Sequence, residues 1–158
     1  MREYIDIIRE KIGHDLLIVT GSNVIIQDDK GNYLLQQRKN GNWGLLGGLN
    51  EVGESLEETA IREVYEESGL HITQLQQIHT FSGKNFIFKL ENQDQIQAVS
   101  TLFLAEKISG QTNLKSDETL DLKYFSYASL PKNIEAEYMN YLSYFEKNKN
   151  NFQNHRIK

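Results

Sequence analysis

Residues 47 to 70 read GGLNEVGESLEETAIREVYEESGL, and this stretch decides how the rest of the chain is interpreted. It predicts a helix from Ser55 to Ser68, because Ser55 and Glu58 have the spacing of a capping box and Gly69 follows as a helix-ending glycine. The glycines before the helix allow backbone conformations and close approaches that other residues do not. The sequence therefore predicts a glycine-rich segment that leads into a capped helix.

Three glutamates crowd into little more than one turn of this helix: Glu63, Glu66 and Glu67. With about 100° of rotation per residue, they lie within roughly 100° of arc. A separate apolar edge is formed by Ala60, Ile61 and Val64. Like charges at this spacing repel, so either the patch is a plain solvated face or a cation binds there. Carboxylate oxygens are ligands that Mg²⁺ takes, which makes a cation site chemically reasonable.

The segment before the helix contains Gly47, Gly48 and Gly53 and is predicted to be a loop. A glycine loop at a helix N-terminus favours anion binding, because free N–H groups point outward there. Glu54 and Arg62 are eight residues apart, so an ion pair between them would tie the loop to the helix. Together with the carboxylates, these features favour a metal and phosphate site over a solvated surface.

The composition is that of an ordinary globular chain of 158 residues, with 39% apolar and 25% charged residues. This length predicts one domain over residues 1 to 147, followed by a polar, flexible tail over residues 148 to 158. The sequence has no run of 18 apolar residues, so no membrane-spanning helix and no membrane partner are expected.

The net charge of −5 argues against a broad basic surface, so no stable nucleic-acid partner is expected. A small phosphorylated ligand is compatible with this charge, because a bound cation can reverse the local sign. The absence of cysteine excludes disulfides and cysteine-ligated zinc, and it suits the cytoplasm, which is the predicted location. These features do not determine the oligomeric state, and a homodimer is left open.

The predicted elements follow the order helix, strands, central helix, strands and terminal helix. The first strands are expected to form a hairpin around a turn at Asp28 to Asn32, and residues 40 to 48 are expected to be loop. Further strands are predicted at residues 72–80, 85–90, 96–108 and 120–127, and helices at residues 2–12 and 134–147. This order predicts an α+β fold, an α/β/α sandwich in which a mixed β-sheet is flanked by helices.

The glycine segment and the helix together resemble the Nudix box. Gly48, five residues, Glu54, seven residues and then Arg62 to Leu70 fill every fixed position of that signature, which is far more specific than a single glycine motif. On these residues the chain is identified as a member of the Nudix family, and the similarity extends over roughly residues 16 to 131. Leu46 departs from the pattern, because family members commonly have a proline there.

The resemblance implies the Nudix fold and hydrolysis of a pyrophosphate bond in a nucleoside diphosphate linked to another group. It implies Mg²⁺ or Mn²⁺ as the cofactor, with Glu63, Glu66, Glu67 and the backbone carbonyl of Gly47 as metal ligands. Glu63 or Glu66 would also be the general base, since family members differ in which glutamate has this role.

Further candidate residues lie outside the three glutamates. The resemblance implies that Glu54 and Arg62 are a structural pair and that Glu118 is a further ligand or base. A solvated loop carboxylate explains Glu118 equally well. Arg38 and Gly48 are candidates for substrate binding, although an ordinary surface arginine explains Arg38 about as well.

The aromatic residues Trp43, Phe81 and Phe86 either stack on a base or pack in the core, and core packing is the better explanation. The four histidines show no ligand spacing. Two functions are therefore considered. The first is a hydrolase of a small nucleotide, ADP-ribose or a nucleotide sugar, and a complete box favours it. The alternative is a Nudix-fold sensor module that binds a nucleotide without hydrolysis.

Overall fold

The computed structural model describes residues 3–114 and 116–153, with Gln153 placed by its backbone alone. Within these ranges the helices are α1 Tyr4–Ile12, α2 Leu56–Ser68 and α3 Ala136–Gln153. The strands are β1 Leu17–Ile25, β2 Tyr33–Arg38, β3 Trp43–Gly44, β4 Leu46–Leu49, β5 His71–Phe81, β6 Ile87–Lys89, β7 Gln95–Ser109 and β8 Thr119–Phe125. No helix in the described ranges is both long and apolar enough to cross a bilayer.

The described strands form two sheets. In the first sheet β4, β1, β7 and β5 are adjacent in that order, and β6 also pairs with β7. Strands β1 and β7 run parallel, whereas the other pairs of this sheet are antiparallel. The second sheet has the order β3-β2-β8 and is antiparallel. A mixed sheet and an antiparallel sheet flanked by helices confirm the predicted α+β fold.

Successive residues of the inner strands pack into two different cores. Ile25 of β1 packs into the core that includes Phe145 of α3. Its neighbours Val24 and Ile26 pack into the core that includes Val64 of α2. Because side chains alternate between the faces of a strand, the strands separate two helical layers. Helix α2 therefore lies on one side of the strands and α3 on the other.

The predicted hairpin between β1 and β2 is confirmed only next to its turn, where the Leu34 N–H donates to the Ile26 carbonyl at 2.9 Å. The Asp28 carboxylate accepts hydrogen bonds from the N–H groups of Lys30 and Asn32 at 3.0 and 2.9 Å. Next to the turn, an isolated bridge joins Gln27 to Tyr33, and the two strands then enter different sheets. Over residues 21–24, β1 is paired with β4 on one edge and with β7 on the other, so β2 does not pair along that part of β1.

The predicted loop over residues 40 to 48 is confirmed at residues 40–42 and is wrong where β3 and the start of β4 lie within it. Gly47 and Gly48 pair with Asn23 and Ser22 of β1. Strands this short show no hydrophobic period, and glycines have no side chain that could alternate. Sheet pairing, and not a loop, therefore holds the glycine pair in place.

The caps predicted for the central helix are confirmed. Ser55 and Glu58 form the capping box of α2, and Gly69 ends the helix with a φ of 79°. The buried edge of the helix includes Ala60 and Val64. The predicted inclusion of Ile61 in that edge is wrong, because its side chain is 39% exposed.

The other two helices differ from prediction at their ends. Helix α1 is followed by Gly13 as predicted, while Arg2 lies outside the described residues. Helix α3 continues past the predicted end at Lys147 to Gln153, because Phe152 stacks on Phe145 with the ring centroids 6.3 Å apart. The rest of the predicted tail, residues 154–158, lies outside the described part of the chain.

Candidate functional site

Arg62 and Glu54 form a bidentate ion pair. Arg62 Nε donates a hydrogen bond to Glu54 Oε2 at 2.6 Å, and Arg62 Nη2 donates to Glu54 Oε1 at 2.9 Å. The guanidinium holds the pKa of Glu54 well below its usual range, at about 2. Because Glu54 precedes α2 and Arg62 lies in its second turn, the pair ties the segment after β4 to the helix.

Arg62 also contacts two glutamates of the predicted cluster. Its Nη1 donates to Glu63 Oε1 at 2.8 Å and to Glu66 Oε2 at 3.3 Å, while Nη2 donates to the Leu49 carbonyl at 3.1 Å. The side chain of Glu66 is 55% exposed, whereas that of Glu63 is 19% exposed. One guanidinium therefore offsets the repulsion among carboxylates that share a helix face.

Glu63 lies directly against the glycine strand. A Cβ atom at position 48 would approach the carboxylate carbon of Glu63 to 2.4 Å, so any residue larger than Gly48 would displace this side chain. Burial raises the pKa of Glu63, and the neighbouring charge of Arg62 opposes that shift only in part. The glycine of the box therefore makes room for a carboxylate.

Glu67 is buried more deeply and is held at both carboxylate oxygens. Its Oε1 accepts a hydrogen bond from the Gly47 N–H at 2.9 Å, and its Oε2 accepts one from Gln36 Nε2 at 2.5 Å. Burial raises the pKa of Glu67 to about 7, although these two donors and the charge of Arg38 oppose the shift. A carboxylate in such surroundings would gain strongly from a further positive charge.

Gln36 contacts Glu67 of the cluster and Thr119 contacts Gln36, and neither residue was identified from the sequence as part of the site. They are 1% and 5% exposed, and Thr119 Oγ1 donates to Gln36 Oε1 at 2.8 Å. The alternation of side chains along β2 could have identified Gln36, because it places Gln36 on the same face as the buried Leu34. A polar side chain on a buried face requires a hydrogen-bond partner.

No group of three or more Asp, Glu, His or Cys side chains in the described residues is arranged to hold a metal as it stands. Glu63 and Glu66 face Arg62, whereas Glu67 faces the Gly47 N–H. The donor set still fits Mg²⁺ or Mn²⁺, because it offers carboxylate oxygens from one helix and two of these side chains are largely buried. A ligand role for the Gly47 carbonyl remains a prediction.

A cleft beside the glycine strand contains Arg38. A cavity of about 240 Å³ is lined by Gly47, Gly48 and Arg38, and it adjoins one of about 620 Å³ with which it shares Arg38, Glu137 and Tyr138. Arg38 Nη2 donates to the Tyr138 hydroxyl at 2.7 Å, and its buried Nε has no hydrogen-bond partner among the described residues. Arg38 is therefore a cation in the wall of a cleft and not an ordinary surface arginine.

Glu118 is exposed in the turn before β8, where its backbone N–H donates to Ser116 Oγ at 3.1 Å. Burial is the largest cause of the raised pKa of Glu3, and the negative charges of Glu51 and Glu118 add to it. Glu3 in turn contributes to the raised pKa of Glu63. Glu118 therefore acts electrostatically on Glu3, and its catalytic role remains a prediction.

The aromatic candidates belong to the core. Trp43 and Phe86 are buried in the core that α3 closes, and Phe81 packs against it. Core packing, the favoured explanation for these residues, is therefore confirmed. No histidine in the described ranges belongs to a group that would hold a metal, and His155 lies outside those ranges.

Comparisons with known proteins match most of the chain. The NUDIX domain model matches residues 18–145. The NAD-capped RNA hydrolase NudC of Escherichia coli (strain SMS-3-5 / SECEC) is 33% identical over 110 residues, which are 68% of this chain and 39% of that protein. The NudC of Salmonella agona (strain SL483) is 34% identical over 95 residues, 60% of this chain and 33% of that protein. The chain thus spans less than half the length of these curated relatives.

Solved structures show the same fold. The crystal structure of the MutT NUDIX hydrolase from Burkholderia pseudomallei has a TM-score of 0.70 at 25% identity, covering 80% of this chain and 97% of that one. The solution structure of the E. coli ORF135 protein has a TM-score of 0.66 at 20% identity, covering 85% of this chain and 92% of that one. The second likeness concerns the fold alone.

Proposed function

Because the chain belongs to the NUDIX domain family, we propose that it hydrolyses a pyrophosphate bond in a nucleoside diphosphate linked to another group. Mg²⁺ or Mn²⁺ is the proposed cofactor, and the proposed substrates are small nucleotides, ADP-ribose or nucleotide sugars. NAD-capped RNA appears in the name of the NudC relatives. For this chain, with a net charge of −5, no stable nucleic-acid partner is proposed.

The observation that carries this proposal is the position of Gly47 and Gly48 between the carboxylates and the cleft. The Gly47 N–H binds Glu67, and Gly48 lies against the carboxylate of Glu63. Both glycines also line the cavity that contains Arg38. A ligand in the cleft would therefore have its phosphates next to a strand that contacts the carboxylates of α2.

Each residue has a proposed task. Arg38 would bind a substrate phosphate through its guanidinium group, because Arg38 lines the cleft. Glu63, Glu66 and Glu67 would hold the cation, which supplies positive charge against the repulsion between the diphosphate and its nucleophile. Glu63 or Glu66 would accept the proton of the attacking water at a carboxylate oxygen, and Glu66 is the more accessible of the two.

The reaction consists of one displacement at phosphorus. A water oxygen forms a bond to one phosphorus atom, and the bridging P–O bond breaks with its electron pair on the departing phosphate. The proton of the water passes to the carboxylate base. Two phosphate-bearing products result. The guanidinium of Arg62, which is held by Glu54, would keep the carboxylate base in its orientation.

A nucleotide-binding sensor without hydrolysis is the second candidate. It is favoured by one observation, namely that the carboxylates of the described residues do not form an assembled metal-binding group. The complete box, from Gly48 to Leu70, favours the hydrolase. A single domain over residues 1 to 147, a cytoplasmic location and a homodimer remain expectations.

The two candidates are separated by incubating the protein with Mg²⁺ and a panel of ADP-ribose, nucleotide sugars, dinucleoside polyphosphates and nucleoside triphosphates. Chromatography measures the phosphate-bearing products. The hydrolase predicts cleavage that EDTA abolishes and added Mg²⁺ or Mn²⁺ restores. Binding of a nucleotide without products would support the sensor, and cleavage that persists in EDTA would contradict the proposed cofactor. A parallel Glu67→Gln preparation controls for contaminating hydrolases.

A further inference from the structure

Glu67 is held from both sheets of the molecule. The Gly47 N–H, which binds one carboxylate oxygen, belongs to β4 of the first sheet. The Gln36 amide, which binds the other oxygen, belongs to β2 of the second sheet. A glutamate side chain has three rotatable bonds, so donors on both of its oxygens restrict how the carboxylate can turn. The cluster's deepest carboxylate is thus restrained by residues outside its own helix.

The hydrogen-bond network fixes the orientation of the Gln36 amide. Its Nε2 donates to the Leu45 carbonyl at 3.2 Å as well as to Glu67, and its Oε1 accepts from the Thr119 hydroxyl. If the amide were flipped, its oxygen would face two acceptors, the Leu45 carbonyl and the Glu67 carboxylate, and both hydrogen bonds would be lost. Thr119 therefore orients Gln36, and Gln36 orients Glu67.

A shift in strand register places the Thr119 hydroxyl within hydrogen-bond distance of the Gln36 amide. Along β2 and β8, Arg38 pairs with Thr119, although a regular continuation of the register would give it Leu120. Cross-strand partners share a face of the sheet, and so do alternate residues of one strand. Thr119 consequently lies on the face of Arg38 and Gln36. Without the one-residue shift, its hydroxyl would point to the opposite face.

We propose that Gln36 and Thr119 are positioning residues that hold the Glu67 carboxylate in the orientation needed to bind the divalent cation. This inference rests on the proposed function, because it concerns the same cation site. Mutation of a residue that hydrogen-bonds to a metal ligand commonly weakens metal affinity by about 10- to 100-fold. A purely structural role would instead change the stability of the protein and leave its affinity for the cation unaltered.

The test measures Mn²⁺ binding to the protein without nucleotide, by electron paramagnetic resonance of the free ion, next to thermal unfolding of each variant. Gln36→Met removes the amide and keeps the length of the side chain. Thr119→Val removes only the hydroxyl, and Thr119→Ser restores it. Gln37→Met is the matched control, since the Gln37 amide donates to the Gly41 carbonyl at 3.1 Å, outside this network.

We expect Gln36→Met to raise the Kd for Mn²⁺ by about tenfold or more and Thr119→Val to raise it several-fold. The Kd values of Thr119→Ser and Gln37→Met for Mn²⁺ should stay within about twofold of the wild-type value. A twofold change corresponds to less than half the binding free energy of a tenfold change. Folded Gln36→Met and Thr119→Val proteins with wild-type Kd values would overturn the proposal. If Gln36→Met does not fold, the comparison of Thr119→Val with Thr119→Ser decides.

The outcome for the wild-type protein separates this inference from the proposed function. Wild-type protein that binds no Mn²⁺ would overturn both. Wild-type protein that binds Mn²⁺ as tightly as the two folded variants do would overturn the positioning role alone. Steady-state kinetics supply a second readout, because a misplaced ligand should raise the apparent KM for Mg²⁺, and excess Mg²⁺ should recover part of the lost rate.

Discussion

The carboxylate patch on α2 and the cleft beside α3 are built in opposite ways. In the patch, Arg62 binds Glu54 eight residues away and Glu63 next to it in the chain. In the cleft, Arg38 binds the hydroxyl of Tyr138, one hundred residues away. The motif residues of the patch thus come from one short segment, whereas Arg38 and Tyr138 of the cleft are brought together by folding. A motif can reveal the first group but not the second.

Glu67 belongs to both kinds of region. It is part of the short motif, yet its carboxylate is held by Gln36 of β2 and by the Gly47 N–H of β4. Its neighbour Glu66 lies one residue earlier and is half exposed. Adjacent glutamates of one helix therefore have different surroundings, because only one of them faces the strands.

The largest effect is expected at the patch. Glu67→Gln should lower kcat by at least about 10²–10³-fold, the scale for loss of one strong transition-state stabiliser. The fold should persist, because burial already favours the neutral form of this side chain. The measurement is steady-state kinetics at saturating Mg²⁺ together with thermal unfolding, and Glu57→Gln on the exposed face of the same helix is the control. Near-normal turnover, or loss of folding, would contradict a ligand role.

A smaller effect of a different kind is expected in the cleft. Arg38→Met should raise KM by about tenfold, which corresponds to about 1.4 kcal/mol of binding free energy, and should change kcat less. The physical reason is that a cation in the cleft wall would bind the substrate equally in the ground state and in the transition state. Lys123→Met, which removes a cation that lies over the Phe125 ring, is the matched control. If Arg38→Met lowers kcat and leaves KM unchanged, the distinction between patch and cleft is wrong.

Glu118 tests whether the patch extends beyond the motif. Glu118→Gln should reduce kcat several-fold and change KM less, because a loop carboxylate would act mainly once the loop closes on substrate. Asp117→Asn and Asp121→Asn remove neighbouring charges and serve as controls in the same kinetic assay. Equal behaviour of the three variants would make Glu118 a solvated loop residue and leave the patch with its motif glutamates alone.

The smallest effect is expected for the stability of the patch. Glu54→Gln should lower Tm by about 2–4 °C, the shift that about 1 kcal/mol causes in a chain of this size. The folded pKa of Glu54 is about 2 and its ordinary value is 4.5, so the ion pair stabilises the fold above pH 4.5 and this contribution is lost as the pH falls toward 2. Thermal unfolding between pH 5 and pH 2 measures it. A Tm difference from wild type that stays constant across this range would contradict the ion-pair explanation.

Local signals predicted part of the fold and of the site. The Ser55 and Glu58 capping box and the glycine at position 69 predicted α2, because caps depend on residues within one turn of the helix end. The spacing of Glu54 and Arg62 predicted a contact that the structure contains. The hairpin is limited to the residues next to its turn, because a turn sequence does not report which strands pair with the rest of β1.

By itself the sequence determined the family, the capped helix and the row of glutamates, because these depend on residue types at fixed spacings within one segment. The tertiary structure decided which glutamate is buried, which glycine contacts it and which residues orient it. Gln36 and Thr119 meet Glu67 only because two strands pair with a one-residue shift and pack beside α2. Register and packing depend on burial across the whole chain, so a pattern read along a single segment does not contain them.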